Sequence, residues 1–133
     1  MRRYFADTFF FLALLNERDD AHDRAVELMN DFDGMMVTTR WVLAEVANTL
    51  SAPLSRGGCV NYFRFLETEP DVEIVGDEAE MFELGLDLYG RRSDKNWSLT
   101  DCISFVVMQR KRIKEALTAD HHFEQSGFVA LMK

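Results

Sequence analysis

Four carboxylates stand where a phosphodiester-cutting or metal-binding site would need them. Asp7 directly follows the apolar stretch Tyr4-Phe5-Ala6, and Asp120 directly follows Leu117-Thr118-Ala119 near the other end of the chain. If both stretches are buried strands of one open parallel sheet, the two acids share the rim at the strands' carboxyl ends, where ligands of such sheets bind. Asp101 lies in Ser98-Leu99-Thr100-Asp101, the spacing of a helix capping box, and a carboxylate there stabilises a helix start with no function attached. The run behind it, Cys102 to Met108, is apolar on every side, so that helix must be buried, with Asp101 in line with Phe105 and Met108 and facing the crevice. Glu45 groups on a helical wheel with Trp41, Asn48 and Thr49, away from Val42, Val46 and Leu50, which fits a solvated helix face as well as a fourth acid of the site. Four carboxylates without zinc-type ligand spacing form a hard, oxygen-only donor set that favours Mg²⁺ or Mn²⁺. Such a cation would offset the acids, draw in a phosphodiester and lower the pKa of water. Without it the clustered acids repel, so metal should stabilise the fold.

The surrounding sequence supplies the strands and helices that would position these acids. Tyr4-Phe5-Ala6 reads as a short buried strand, followed by a helix from Thr8 to Leu15 that is apolar nearly all round. A second helix is expected over 20–32, with apolar residues Ala21, Ala25, Leu28, Met29 and Phe32 at helical spacing and a charged opposite face. Met35-Met36-Val37-Thr38 reads as a strand leading through Thr39-Arg40-Trp41 into a helix that reaches Leu50 and that Pro53 cannot continue. Further helices are expected over 59–67, over 78–89 with Gly90 at its end, and from Ser98 onward, with strands at 72–75, 116–119 and 128–131. Short apolar strands alternating with helices specify an α/β chain, a three-layer α/β/α sandwich around a parallel sheet. There is no repeat, low-complexity tract or linker, so residues 1–133 read as a single domain.

Composition narrows the chemistry. The 133 residues are 47% hydrophobic and 29% charged, which excludes a disordered or fibrous chain. A formal charge of −8 repels a phosphate backbone, so any nucleic-acid role must work through local patches or bound cations. The two cysteines, Cys59 and Cys102, are far apart and lack metal-ligand spacing, as in a reduced, cytosolic protein. Met1-Arg2-Arg3 before the run Phe9 to Leu15 imitates a secretory signal. Asp7, Asn16 and Glu17, the short run and the missing small-residue cleavage pattern argue instead for core, and for a cytoplasmic protein without a membrane partner.

At the four acids the sequence resembles the PIN-domain ribonucleases, in particular the VapC-like toxins of type II toxin-antitoxin pairs. The resemblance covers nearly the whole chain. It rests on Phe5-Ala6-Asp7-Thr8, on Thr38-Thr39-Arg40-Trp41-Val42-Leu43-Ala44-Glu45, on Trp97-Ser98-Leu99-Thr100-Asp101-Cys102, and on Leu117-Thr118-Ala119-Asp120-His121-His122-Phe123 with Gly127-Phe128 beyond. Four patterns in this order on an α/β chain of this length are specific where any one alone is weak. The resemblance implies a compact PIN fold over residues 1–133 and an acidic Mg²⁺ or Mn²⁺ site that hydrolyses RNA endonucleolytically to 5′-phosphate and 3′-hydroxyl ends. It implies Asp7 and Asp101 as direct metal ligands, with Asp120 and Glu45 ligating through water or orienting the attacking water. Thr8 and Ser98 or Thr100 match hydroxyl positions that orient a carboxylate or a water, and each also reads as a helix cap. It further implies RNA as substrate, a homodimer and an antitoxin partner. A stand-alone RNA-processing nuclease or a non-cleaving RNA- or partner-binding module could share these motifs. A receiver-type signalling domain is a more remote alternative, because Glu45 and Asp101 have no place in its chemistry.

Several other residues invite functional readings. His121 and His122 adjoin Asp120 but fit structural hydrogen bonding better than a ligand role, and His22 reads as a surface residue of an amphipathic helix. Cys102 has no placed base and reads as packing. Arg110-Lys111-Arg112 with Lys114, and Arg91-Arg92 with Lys95, are the two basic clusters and candidate RNA-backbone contacts. The first also suits the cation preference of a helix end. Trp97 could stack on a base or close the core. Phe9-Phe10-Phe11 carries more aromatic surface than a small domain easily hides, and either dimerisation or core packing would cover it.

Overall fold

The computed structural model describes residues 1–133. Its chain begins with β1 (Arg3–Ala6), α1 (Thr8–Leu15), α2 (His22–Asp31), β2 (Met35–Thr39), α3 (Arg40–Thr49) and α4 (Pro53–Thr68). It continues with β3 (Val72–Val75), α5 (Ala79–Arg91), α6 (Leu99–Arg110), β4 (Glu115–Leu117), α7 (His121–Gln125) and β5 (Val129–Ala130). The five strands form one all-parallel sheet in the order β3-β2-β1-β4-β5. Tyr4, Phe5 and Ala6 on β1 and Met36, Val37, Thr38 and Thr39 on β2 are all buried. Since successive strand residues point to opposite faces, helices must cover both faces, as in the expected three-layer sandwich. The strand order matters for function. The chain builds outward from β1 through β2 to β3, then returns to the other side of β1 with β4, which leaves a crevice at the carboxyl ends of β1 and β4.

The helix that walls this crevice is the most buried of all: every residue of α6 from Asp101 to Met108 is buried, including Ser104, whose hydroxyl donates to the Thr100 carbonyl at 2.9 Å. An interior hydroxyl is tolerated in a helix when it bonds back to the preceding turn in this way. Beneath the crevice Phe105 meets Trp97 and Phe123 edge-on at ring separations of 5.1 and 5.0 Å. Trp97 is buried and its Nε1 donates to Gln125 Oε1 at 3.0 Å, so it closes the core here. Phe10 and Phe11 are fully buried within the monomer, which answers the apolar helix by core packing, while Phe9 remains half-buried.

The structure corrects several expected boundaries. The fourth helix starts at Pro53, not 59: proline occupies its first turn, where its missing N–H is no loss, and Gly57 and Gly58 hide the pattern that would have revealed the start. Gly90 lies within the last turn of α5 rather than ending it. The strand expected over 116–119 is Glu115–Leu117, and the one expected over 128–131 is Val129–Ala130. The five-residue α7 was not expected, being too short to show periodicity. His22 is half-buried rather than a free surface residue, its Nδ1 lying 2.8 Å from the Ala13 carbonyl where α2 meets α1.

Candidate active site

Three helix N-termini meet at the crevice, and each carries one of the three aspartates. Asp7 precedes α1, and its backbone carbonyl accepts from Phe10 and Phe11 N–H at 3.1 and 3.4 Å. Its carboxylate makes no capping bond to α1 and instead lies buried in the crevice, 4% exposed. Asp101 completes the capping box of α6: Ser98 Oγ accepts from Asp101 N at 3.0 Å, and Asp101 Oδ2 accepts from Ser98 N at 3.1 Å. The capping and crevice readings of Asp101 thus coexist, one oxygen serving the cap while the side chain stays buried at the site. Asp120 caps α7, its Oδ1 accepting from His122 N at 2.9 Å. The positive end of a helix dipole favours a carboxylate at each place.

Glu45 reaches the same site from the middle of α3. It is half-buried, and Thr8 Oγ1 donates to its Oε1 at 2.6 Å. Of the hydroxyls expected to orient acids, Thr8 therefore holds Glu45 and Ser98 caps Asp101, while Thr100 makes no side-chain hydrogen bond. Sequence reasoning missed Thr118. This fully buried residue donates from Oγ1 to Asp7 Oδ2 at 2.9 Å and accepts from Asp120 N at 3.1 Å, linking the acids that follow β1 and β4. The available signal was a hydroxyl in the apolar stretch that runs on from β4, two residues before the acid.

His122 joins the site as a hydrogen-bonding group. Its Nδ1 lies 3.0 Å from Asp101 Oδ2 and 3.5 Å from Asp120 Oδ1. One carboxylate oxygen of Asp120 and one ring nitrogen each of His121 and His122 also lie within 4.8 Å of one another. His121 is mostly exposed and His122 already faces Asp101, so the buried carboxylates make the better-enclosed donor set. Cys102 is no nucleophile: burial, with the neighbouring Asp101 charge, pushes its thiol up to about 11.

Electrostatically the crevice is an uncompensated acid cluster. No Lys or Arg side chain pairs with Asp7, Glu45, Asp101 or Asp120. Burial raises the Asp7 carboxyl to about 7, and the nearby Asp101 and Asp120 charges push the same way, against the hydrogen bond from Thr118. A buried oxygen-rich pocket whose acids lack a protein cation fits a hard divalent ion, so the donor set is suited to one.

The basic candidates do not converge here. Arg110, Lys111 and Arg112 sit at the far end of α6; nine residues of helix separate Arg110 from Asp101, about 14 Å at 1.5 Å per residue. Arg110 pairs with Glu80 at 2.9 Å and Lys111 with Glu73 at 2.7 Å. Of the second cluster, Arg92 lies 4.8 Å over the ring of Trp97 and pairs with Asp94 at 2.9 Å, Arg91 pairs with Asp87 at 3.1 Å, and Lys95, in the loop before Ser98, has no ion-pair partner.

Comparison with known proteins places this arrangement in context. The family model for the PIN domain matches residues 4–129. The 23S rRNA-specific endonuclease VapC20 of Mycobacterium tuberculosis is 31% identical over 126 residues, 94% of this chain and 95% of that protein, in each of two strains. Its crystal structure, described as that of a sarcin-ricin loop cleaving toxin, superposes with a TM-score of 0.87 at 26% identity, covering 96% of this chain and 98% of that one. VapBC2 of Rickettsia felis, solved with a DNA fragment from its promoter, shares the fold at a TM-score of 0.67 and 14% identity, over 96% of each chain. FitAcB of Neisseria gonorrhoeae does so at 0.67 and 14%, over 96% of this chain and 94% of its own.

Proposed function

The chain belongs to the PIN-domain family, and on that footing we propose that it is a divalent-metal-dependent endoribonuclease, the toxin of a toxin-antitoxin pair, that cuts a structured loop of ribosomal RNA. The observation that carries this reading is the crevice in which Asp7, Glu45, Asp101 and Asp120 meet without a Lys or Arg partner, on a fold that superposes at 0.87 on a ribosomal RNA-cutting relative. Asp7 and Asp101 hold the ion directly, with Asp120 and Glu45 completing its surroundings. When bound, Mg²⁺ or Mn²⁺ supplies the charge that neutralises the acids, polarises the phosphodiester and acidifies water. The chain's own groups do the positioning. Thr118 fixes Asp7 Oδ2 and the Asp120 backbone, Ser98 and His122 fix Asp101 Oδ2, and Thr8 occupies Glu45 Oε1, leaving Oε2 to accept the proton of the attacking water. Attack by water leaves a 5′-phosphate and a 3′-hydroxyl.

In this reading residues 1–133 act as one domain in the cytoplasm, and no helix is long and apolar enough to cross a membrane. The exposed side chains of Leu54, Val60 and Phe65 on α4 offer apolar surface to a second copy or to an antitoxin. Lys95 contacts the RNA beside the site. The test is cleavage of a labelled 23S rRNA fragment carrying the sarcin-ricin loop, with Mg²⁺, Mn²⁺ or chelator, alongside Asp7→Asn and Asp101→Asn. Metal-dependent cuts with 5′-phosphate ends are expected, and both variants should lose more than the ~10–100-fold typical of an outer-shell change. Equal cutting by the variants would refute the site.

A further inference from the structure

The strongly charged feature that the catalytic site does not use lies at the opposite pole, where the strands begin. On one face of the sheet's amino edge, positive side chains from three places converge. Arg3 opens β1, Lys111 and Arg112 end α6, and Lys114 immediately precedes β4. Carried back one residue, the parallel register that sets Tyr4 beside Glu115 brings Lys114, just before β4, opposite Arg3 on β1. Arg3, Lys111 and Arg112 line an open concavity of about 370 Å³ with Met1 and Met35. Like charges placed side by side repel, and the protein supplies little to relieve them. Lys111 has Glu73 at 2.7 Å, but Arg3, Arg112 and Lys114 are exposed and have no ion-pair partner. Of the acids of this pole, Glu73 shares the face and is taken up by Lys111, Glu115 takes Arg2 at 2.8 Å on the other face, and Asp33 and Asp71 line an adjoining concavity with Arg2 and Met1.

The cation preference of a helix end does not account for the cluster. Arg3 and Lys114 are not on α6, and Arg112 stands beyond its last turn with a positive φ of 58°. Ile113 N and Arg112 N bond back to Met108 and Gln109 carbonyls at 2.8 and 3.2 Å, so Arg112 occupies the left-handed closing position where glycine is the cheapest residue. An arginine there exchanges fold stability for an exposed charge.

We propose that this pole is a second RNA-binding surface, at which Arg3, Arg112 and Lys114 grip the phosphate backbone of a structured RNA whose cleaved loop occupies the acidic crevice at the other end of the sheet. The proposal rests on the RNA-cutting reading for its ligand. It also answers the charge problem of an acidic nuclease, since the metal site handles one phosphodiester while this pole supplies the affinity that the overall charge opposes.

The test measures equilibrium binding of a labelled 60-nucleotide rRNA hairpin to the full-length protein in EDTA, where cleavage is off, across a salt series. A triple variant, Arg3→Gln, Arg112→Gly and Lys114→Gln, is expected to bind at least about tenfold more weakly near 100 mM salt, with the log–log salt slope shallower by about two. With Mg²⁺ restored, its kcat on a short RNA that cannot reach both poles should match wild type. Arg112→Gly alone should raise the Tm by a few degrees while lowering RNA affinity, a pairing that a folding defect cannot produce. Unchanged affinity and slope in the triple variant would overturn the proposal. Binding changes as expected in a wild-type protein that cuts no RNA would instead defeat the nuclease reading and leave the surface standing.

Discussion

At the scale of single residues, Asp7 is the clearest point where stability and chemistry pull apart. In the unfolded chain its carboxyl titrates near 3.8, and in the folded, metal-free protein near 7. A carboxyl raised by folding contributes stability that is complete below the unfolded value and is lost as pH rises toward the folded one. Between about pH 4 and 7 the metal-free protein should lose on the order of 4 kcal/mol from this group, at 1.36 kcal/mol per unit. Asp7→Asn has nothing to titrate, and its side-chain oxygen can still accept from Thr118. Urea unfolding in EDTA should find it less stable than or equal to wild type at pH 4.5 and more stable at pH 8, although it does not cut RNA. A wild-type advantage at pH 8 would mean that the carboxylate is solvated. Thr118 gives the complementary test. Thr118→Val removes the link between Asp7 and Asp120 and should lower cleavage ~10–100-fold, while Thr118→Ser, which keeps the hydroxyl, should restore most of it. Equal loss in both variants would assign Thr118 to packing alone.

At the scale of elements, the same contrast explains what the sequence made legible. Strand-then-acid placed Asp7 and Asp120, and the capping spacing with a wholly apolar run behind it placed Asp101, because both signals are local. Thr118 was not legible, since its partner Asp7 follows a neighbouring strand 111 positions away in the chain, and no local spacing records such a contact. Glu45 was legible only as an alternative, because its wheel position faces away from the apolar stripe and the hydroxyl that holds it sits on another helix. Of the helices, α2 and α5 were readable from apolar spacing and α1 and α6 from runs apolar on every side, whereas the start of α4 hid behind Gly57 and Gly58 and α7 was too short. The α5–α6 contact hid in a similar way. Gly85 reads as a flaw in an otherwise periodic helix, yet a Cβ there would stand 2.4 Å from Ile103 Cγ1 and 3.0 Å from its Cα. Gly85→Ala should therefore destabilise despite alanine's better helix propensity, by about 1–3 kcal/mol, because the backbone of α6 must move away. A rise in Tm would show that the side chain of Ile103 alone can yield.

For the whole molecule, the arrangement of charge decides stability as well as partners. Fifteen basic against twenty-three acidic residues leave −8, and the most buried acids are gathered at one end of the sheet, where no Lys or Arg pairs with them and only the imidazoles of His121 and His122 come near. The metal-free state therefore folds against its own field, and a ligand that binds only the folded crevice must stabilise it by mass action, ~2.7 kcal/mol at a concentration 100 times its Kd. Two effects of an added salt are separable. General screening of the surface charge depends on ionic strength and acts on any variant, whereas occupation of the crevice depends on divalent concentration and on the acids. A thermal-shift titration with Mg²⁺ or Mn²⁺ at constant ionic strength should raise the Tm of wild type along a saturable curve. In Asp101→Asn only the small unsaturable part should remain, because that variant gives up one ligand and one of the repelling charges together. If wild type and variant shift alike, the cation acts on the surface and the crevice is not its site. If the metal-free wild type is already the more stable of the two at pH 8, repulsion among the acids is weaker than their burial implies, and the cation's role is confined to the reaction.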